Sequence, residues 1–441
     1  MVTALSRSVQ PIGPWWSRVW AILFVAGTWF VPGVGSAAAP EARGDFTLGV
    51  RHYPSPSVPG RDLEWTLAAR AEIRWDARPS LRLFITPRVH ADPLDPGRWR
   101  WVPDEAWVEA RRGPARLRLG RTVTRWGSTD AANPTDVVAV RDWGIDFLDP
   151  ERPGDWSAVF SVTRARWGLE ALVLPVLEGA RQPSARSRWS LQSAGARSGF
   201  PVDVLLDDTP RLPPGTGEAS VAGRVRLTRG ATDVYLVGYS GIDHRPLLTG
   251  TVDFEHGVVT ARTTYLPLHL GGIEVQSALG DFLVKGAVTY EDRSVDDAAF
   301  AAGVFGDFGL RPRSWQGIAG LEYLWLDFLG SPGVLDLTAE CVWDNSPGGD
   351  SIRAFRPLQN DVAVGATYRF GDLADTRVEA GWLEDLERPE SVFLARVSRR
   401  IGDRVRWELG ADVLRGGNDP SSPFYLYSPN DRVTARVTGG F

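Results

Sequence analysis

The chain is poor in reactive groups: among 441 residues there is one cysteine, Cys341, one methionine, and one lysine, Lys285. A single thiol excludes a disulfide framework, a thiolate metal cluster and a dithiol redox site. Five scattered histidines leave little from which to build a zinc constellation. Neither sign of charge dominates: 49 basic against 54 acidic side chains give a formal −5, no footprint for nucleic acid. The glycines of Gly33-Val34-Gly35 and Gly348-Gly349 form no phosphate-cradling loop or dinucleotide fingerprint. After residue 39 no apolar run reaches the roughly 18 residues that a membrane helix needs. Tryptophan is plentiful instead, 19 in all, with 43% hydrophobic and 23% charged residues, so the chain is not disordered.

The first 39 residues carry Arg7 and Arg18 and no acid, then an apolar run from Val19 to Val31, then Gly35-Ser-Ala-Ala-Ala39. A basic start, a short apolar core and small residues at the end describe a secretory signal peptide. A membrane anchor is the alternative, but the run is short and ends in Pro32-Gly33. Cleavage after Ala37 or Ala38 leaves residues 39–441 as one domain, with no nearby cysteine for a lipid anchor. The exported protein is then either soluble or crosses a membrane as strands.

Period-2 alternation runs through almost every segment. Over 63–75, Leu63, Trp65, Leu67, Ala69, Ala71, Ile73 and Trp75 share one face, and Glu64, Thr66, Arg70, Glu72 and Arg74 the other. The same split appears at 335–343, with Asp336, Thr338 and Glu340 opposite Leu335, Leu337, Ala339, Cys341 and Trp343, and again at 362–370 and 405–413. Such strands have one side in water. A soluble sandwich or propeller turns the greasy side inward; a transmembrane barrel turns it to lipid around a polar lumen.

Three features favour the barrel. Short turns at Arg112-Gly113-Pro114, Arg229-Gly230, Gly280-Asp281, Gly371-Asp372 and Gly402-Asp403 alternate with long polar loops at 91–102, 125–155, 175–216, 293–313, 345–360 and 414–430. Aromatic residues on the apolar faces, among them Trp65, Trp75, Trp315, Trp325, Trp343 and Trp382, suit interfacial girdles. The last segment alternates back from Phe441 through Val437 to Val433, which resembles the signal read by the barrel-insertion machinery. The expected fold is an all-β transmembrane antiparallel barrel of about 18–20 strands. The weakest members of the count are the first strand and the pair 248–255 and 257–265. A barrel this wide needs a channel or a plug. Strands begin almost directly after the leader, which leaves no room for an N-terminal plug domain.

The segment from Arg121 to Pro150 is unlike a solvated loop tip. Asn133-Pro134-Thr135-Asp136 reads as a helix start, with Asn as cap, Pro at the first position and an acid in the first turn. Val137, Val138 and Val140 add an apolar face. The expectation is a lumenal loop over 125–150 that bears a short helix and narrows the channel. Gly120-Arg121, Arg125-Trp126-Gly127, Asp130 and Asn133-Pro134-x-Asp136 resemble a Gly-Arg-Gln…Trp-Gly…Asn-Pro-x-Asp pattern. It belongs to large outer-membrane barrels of Gram-negative bacteria, grouped as DUF1302-like or porin-like proteins. Leu174-Pro175 is similar in usage, whereas Thr122 stands where that pattern has Gln. The resemblance implies a barrel and little settled biochemistry.

In such a loop the constriction residues are Arg125, Asp130, Asn133, Asp136, Arg141, Asp142 and Asp146. The inward-facing wall arginines are Arg70, Arg74, Arg116, Arg118, Arg224, Arg226, Arg369, Arg406 and Arg436. Opposed acids and arginines set a transverse field that sorts solutes by charge; alternatively, the pairs merely latch the loop to the wall. His52, His90, His244, His256 and His269 lie near no Gly-x-Ser-x-Gly, and His244 reads as a solvated residue of an outer loop. The acids Asp207-Asp208, Asp292 and Asp296-Asp297 have no calcium-loop spacing. No cofactor or metal is indicated. The expected partners are outer-membrane lipid and lipopolysaccharide, the insertion machinery and a small solute, with no nucleic acid. The function read from this is passive passage of small hydrophilic or charged solutes. A loop-plugged barrel serving export or surface binding, and an outer-membrane hydrolase, are the alternatives.

Overall fold

The computed structural model describes residues 39–55, 61–193, 203–213, 215–253, 255–293, 302–303, 306–307, 312–345, 358–417 and 423–441. The leader lies outside the described residues. Strands β1 Glu41–His52, β2 Leu63–Arg78, β3 Leu81–Ala91, β4 Arg100–Arg112 and β5 Ala115–Thr122 open the chain. Next come β6 Asp155–Thr163, β7 Trp167–Leu174, β8 Asp203–Arg211, β9 Ser220–Arg229, β10 Thr232–Ile242, β11 Leu247–Asp253 and β12 Val258–Thr264. Then follow β13 Pro267–Leu279, β14 Phe282–Asp292, the two-residue β15 Ala302–Gly303 and β16 Gly306–Asp307, β17 Arg313–Leu326 and β18 Val334–Asp344. The chain finishes with β19 Asn360–Arg369, β20 Arg377–Asp385, β21 Ser391–Ile401, β22 Val405–Arg415 and β23 Arg432–Gly440.

Eighteen of these form one closed antiparallel meander. Each barrel strand pairs with its neighbours in the chain, and β23 returns to β1 from Asp45↔Gly440 to His52↔Val433. Closure leaves no sheet edge unpaired. Phe441 extends this seam: its N–H donates to the Gly44 carbonyl at 2.9 Å, and its ring lies 5.2 Å from that of Phe46. The first strand is therefore part of the wall. The pair around Gly257 is not: β11 and β12 form a hairpin beyond the barrel, and β8 joins β12 in parallel. Alternation marked that pair as strands, but only long-range pairing decides whether a strand enters the ring.

The two ends of the barrel differ as the turn spacing predicts. One end is closed by tight turns in which Gly113, Gly230, Gly280 and Gly402 take positive φ. The other carries the long loops. Leu48, Trp156, Ile273, Trp315, Leu321, Trp343, Trp382, Phe393 and Val437 point outward and are exposed along the belt. An apolar belt of this extent has lipid as its solvent. Among the described residues no helix is long and apolar enough to cross a membrane.

Inside, most lumenal positions are polar, but one arc departs from the rule. Leu172 and Leu174 of β7, Val237 and Tyr239 of β10, and Leu268 and Leu270 of β13 are buried facing inward. Something apolar covers them. That cover is the loop between β5 and β6.

Candidate functional site

The β5–β6 loop, residues 123–154, folds into the lumen. Trp126, Val137 and Val138 complete the buried cluster with Leu172, Leu174, Val237, Tyr239, Leu268 and Leu270. Burying three large apolar side chains contributes roughly 1.5–3 kcal/mol each and fixes the loop to this arc. The predicted helix does not form. Pro134-Thr135 makes a single turn, with Asp136 N–H donating to the Asn133 carbonyl at 3.1 Å. Val137 N–H then donates to the Thr135 carbonyl at 3.0 Å, which closes the turn without continuing it into a helix.

Asn133 is thereby not a helix cap. Its side-chain amide donates to the Trp126 carbonyl at 2.6 Å, while Asp136 accepts from the Trp126 N–H at 3.3 Å. Gly127, with φ +90, allows this closure, since a Cβ there would lie 1.8 Å from the Asn133 side chain. Trp-Gly and Asn-Pro-x-Asp are therefore one clamp. It folds the loop onto itself around Trp126, whose indole N–H donates to Glu170 at 2.7 Å.

From this clamp the loop reaches across the lumen. Glu340 of β18, buried at 2% exposure, accepts from the backbone N–H of Asp130 at 2.9 Å and of Ala131 at 2.6 Å. β18 lies seven strands round the ring of eighteen from β6. Ala131 and Ala132 pack on Ala287, Ile318 and Val342 beside it, and Thr135 donates to Glu274 at 3.2 Å. Lys285 sits 3.3 Å from Asp130 and 2.7 Å from Glu322.

The returning arm is held by arginines. Arg98 donates to the Ile145 carbonyl at 2.7 Å, and Arg51 to Asp146 at 2.8 Å. Arg432 reaches Asp146 at 2.8 Å and Asp412 at 2.6 Å. Asp142 lies 3.4 Å from Arg100, and Asp136 pairs with Arg152 at 2.6 Å and Arg141 at 3.7 Å. Burial alone would raise Asp146, but Arg51 and Arg432 beside it hold the carboxyl below the usual carboxylate range. Burial pushes Asp136 up in spite of its arginines.

Of the seven predicted constriction residues, Asp142 and Asp146 thus anchor the loop to the wall, Asp136 and Arg141 brace it internally, and Asn133 closes the clamp. Arg125 and Asp130 keep exposed charges in the lumen. The expected opposition between loop acids and the nine wall arginines does not occur. Arg70 faces Asp104, Arg74 faces Asp76, Arg118 faces Glu109, Arg224 faces Glu170, Arg369 faces Asp336 and Arg436 faces Glu408, all on the wall itself, and Arg406 faces Asp375 in the β19–β20 turn. Arg226 donates to the Arg164 carbonyl at 3.2 Å, and Arg116 stands on the same inward face with a register partner in Arg111. Wall arginines find wall acids because cross-strand neighbours are closer than any loop.

The partners that hold the loop (Arg51, Arg98, Glu274, Glu340 and Arg432) were not singled out in the sequence. Their only signal was a charge at an inward position near the long-loop end. His244 was misread as solvated; it is 4% exposed, 3.5 Å from Asp155. Beneath the loop's contacts on β18, β23 and β1, inward positions Gly49, Gly365, Gly381, Gly410 and Ala363 carry little or no side chain. Below them stand Arg377, Glu379, Arg396, Ser398, Arg406 and Glu408, which line a cavity on that wall. These small and charged positions lie on β19–β23 and β1 beneath the outer-end positions Arg51, Asp412 and Arg432, where the returning arm is held.

On the outward face, Ser240 Oγ lies 3.0 Å from His269 Nδ1, and register places Asp292 beside His269. The Asp292 carboxylate accepts from Arg313 Nε at 3.0 Å. Among the described residues no group of three or more His, Cys, Asp and Glu is arranged to hold a metal ion.

Several solved structures share this architecture. Over 93% of this chain and 99% of the other, the fold is similar to Pseudomonas aeruginosa OccK11 (OpdR), with a TM-score of 0.52 and 8% identity. The fold is that of the outer-membrane porins. Acinetobacter baumannii OccAB3 (TM-score 0.52, 10% identity, 91% of this chain and 98% of that one) is similar. So is a BenF-like porin from Pseudomonas fluorescens Pf-5 (TM-score 0.51, 9% identity, 92% and 99%). No protein-family model and no curated protein matches the sequence.

Proposed function

We propose that this porin-fold barrel is a passive channel for small hydrophilic or charged solutes in the outer membrane of a Gram-negative bacterium, reached through a cleaved signal peptide. The observation that carries the reading is the lumenal loop. Its apolar face docks on β7, β10 and β13, its tip on β18 and its returning arm on the outer ends of β1 and β23, while the wall beneath the arm presents glycine and alanine above paired arginines and glutamates. A loop so placed narrows a wide barrel without filling it. The chain is read as a non-enzymatic member of the DUF1302-like group, with lipid and lipopolysaccharide around its belt and Phe441, Val437 and Val433 engaging the insertion machinery.

Single-channel conductance of the refolded protein in a planar bilayer, beside a deletion of residues 128–145, tests this. A steady current that rises on deletion supports the channel. Silence broken only by the deletion instead marks a plugged barrel for export or surface binding. The Ser240–His269 pair favours a second reading, hydrolysis at the outer rim. A fluorophosphonate that labels the protein and spares Ser240→Ala would support that reading; equal or absent labelling removes it.

A further inference from the structure

Four inward positions lie in one row across neighbouring strands: Lys285 of β14, Gly320 of β17, Glu340 of β18 and Ala363 of β19. The central glycine leaves room for its neighbours. A Cβ at Gly320 would come within 3.0 Å of Glu340 Cγ, so the glutamate chain lies over the glycine instead of standing straight into the lumen. Its carboxylate meets the loop tip there. Both oxygens accept from Asp130 N–H, at 2.9 and 3.1 Å, and one also from Ala131 N–H, at 2.6 Å.

These two successive N–H groups form a small anion cradle at the loop tip. The other tip contacts are weaker. Asp130 pairs with Lys285 while its own side chain is 70% exposed, where water screens the attraction. Ala131 and Ala132 present only methyl groups to the wall. The Trp126 clamp holds the base of the loop and does not reach the tip.

We propose that Glu340 is the positioning residue of the aperture: it fills the Asp130–Ala131 cradle as a carboxylate held in cis and pins the loop tip to the far wall. This rests on the channel reading for its consequence in conductance, but the latch itself is observable without current. Glu340→Ala empties the cradle while leaving the loop sequence intact, and a small free carboxylate then fits the space.

The test uses the full chain, refolded in detergent and reconstituted in bilayers. Amide exchange of the peptide spanning residues 128–132 reads the latch. In Glu340→Ala it is expected to quicken roughly 10- to 100-fold, the loss of charge-assisted hydrogen bonds. Glu340→Gln, which keeps an acceptor oxygen, retains most of the protection. Sodium acetate restores protection to Glu340→Ala, and sodium chloride at equal ionic strength does not. Conductance follows the same order: higher and noisier in Glu340→Ala, lowered again by acetate, near normal in Glu340→Gln. Should Glu340→Ala fail to fold, Ala131→Pro removes one donor from the other side and is expected to quicken exchange of the remaining tip amides.

Unchanged exchange in Glu340→Ala, or recovery with chloride as with acetate, overturns the proposal even if the barrel conducts. Faster, acetate-reversible exchange in a barrel that never conducts upholds the latch and overturns the channel reading.

Discussion

Asp146 and Arg432 join residues 286 apart in the chain, with Arg432 Nη1 donating to the Asp146 carboxylate at 2.8 Å. Arg432 belongs to the last strand and Asp146 to the lumenal loop, so this bond ties the loop to the seam where the barrel closes. Arg51, on the first strand, donates to the other oxygen at 2.8 Å. Both arginines are buried at 3% exposure. Asp146→Ala would remove the carboxylate shared by two buried cations, leaving Arg432 with Asp412 at 2.6 Å and Arg51 with Glu64 at 3.7 Å, and is expected to cost about 2–3 kcal/mol, with Asp146→Asn losing less. Thermal unfolding in detergent measures it; a midpoint equal to that of the parent protein would show that the network is dispensable.

Of the seven candidate constriction residues, Arg125 and Asp130 are the two whose side chains stay exposed. Their removal is expected to leave stability within about 0.5 kcal/mol, as for other surface changes. Ion selectivity should move instead. Under a salt gradient, Arg125→Ala shifts the reversal potential toward cations and Asp130→Ala toward anions. If both variants keep the parent's reversal potential, the solute path does not pass the loop tip.

Gly365 faces the lumen on β19, beneath the row that holds the loop tip, and its nearest neighbour for a Cβ is Thr338 Cβ at 3.9 Å. Gly365→Trp therefore has room to fold and puts a large ring into the lumen. Unitary conductance is expected to fall, with no change in thermal stability. Unaltered current would place the path elsewhere in the lumen.

His244 is buried at the root of the loop that follows β10. Burial lowers its pKa to about 4, with Asp243 opposing and Arg245 reinforcing the shift. Asp155 stands 3.5 Å away, yet neither its oxygens nor His244 Nδ1 has a hydrogen-bond partner, so this contact does not offset the burial. Asp243 itself is engaged by Arg245 and Arg293. A base with a lowered folded pKa binds its proton more readily when unfolded. Its stability contribution is present above the unfolded value near 6.5 and is lost as pH falls toward about 4. The loss amounts to roughly 3 kcal/mol across that window. His244→Gln should flatten this part of the pH–stability curve; an identical slope in both proteins would assign the titration to other groups.

Much of the architecture was legible because alternation is a local property. Leu63 to Trp75 and Leu335 to Trp343 declare strand, face and solvent on both sides without reference to any neighbour. Short turns and long loops were equally plain, since tight turns announce themselves through glycine. The infolding of residues 123–154 was legible too, through Val137, Val138 and an Asn-Pro-x-Asp out of place in a solvated tip.

Partnership was not legible. Asn133-Pro134 carries local helix-start chemistry, but Asn133 and Asp136 are taken by the backbone of Trp126, seven and ten residues back, and a single turn results. The hairpin 247–264 alternates like a barrel strand pair, yet β13 pairs directly with β10 and leaves it outside. His244 sits among polar loop residues in the chain and is buried only because β6 and its own loop converge on it. The sequence by itself determined the strands, their two faces and the closed barrel, because a period-2 pattern records what each side chain meets as solvent. Only the tertiary structure decided the ring of eighteen, the anchors Arg51, Arg432 and Glu340, and the glycine-lined wall beneath them, because those depend on which distant residues arrive at the same place.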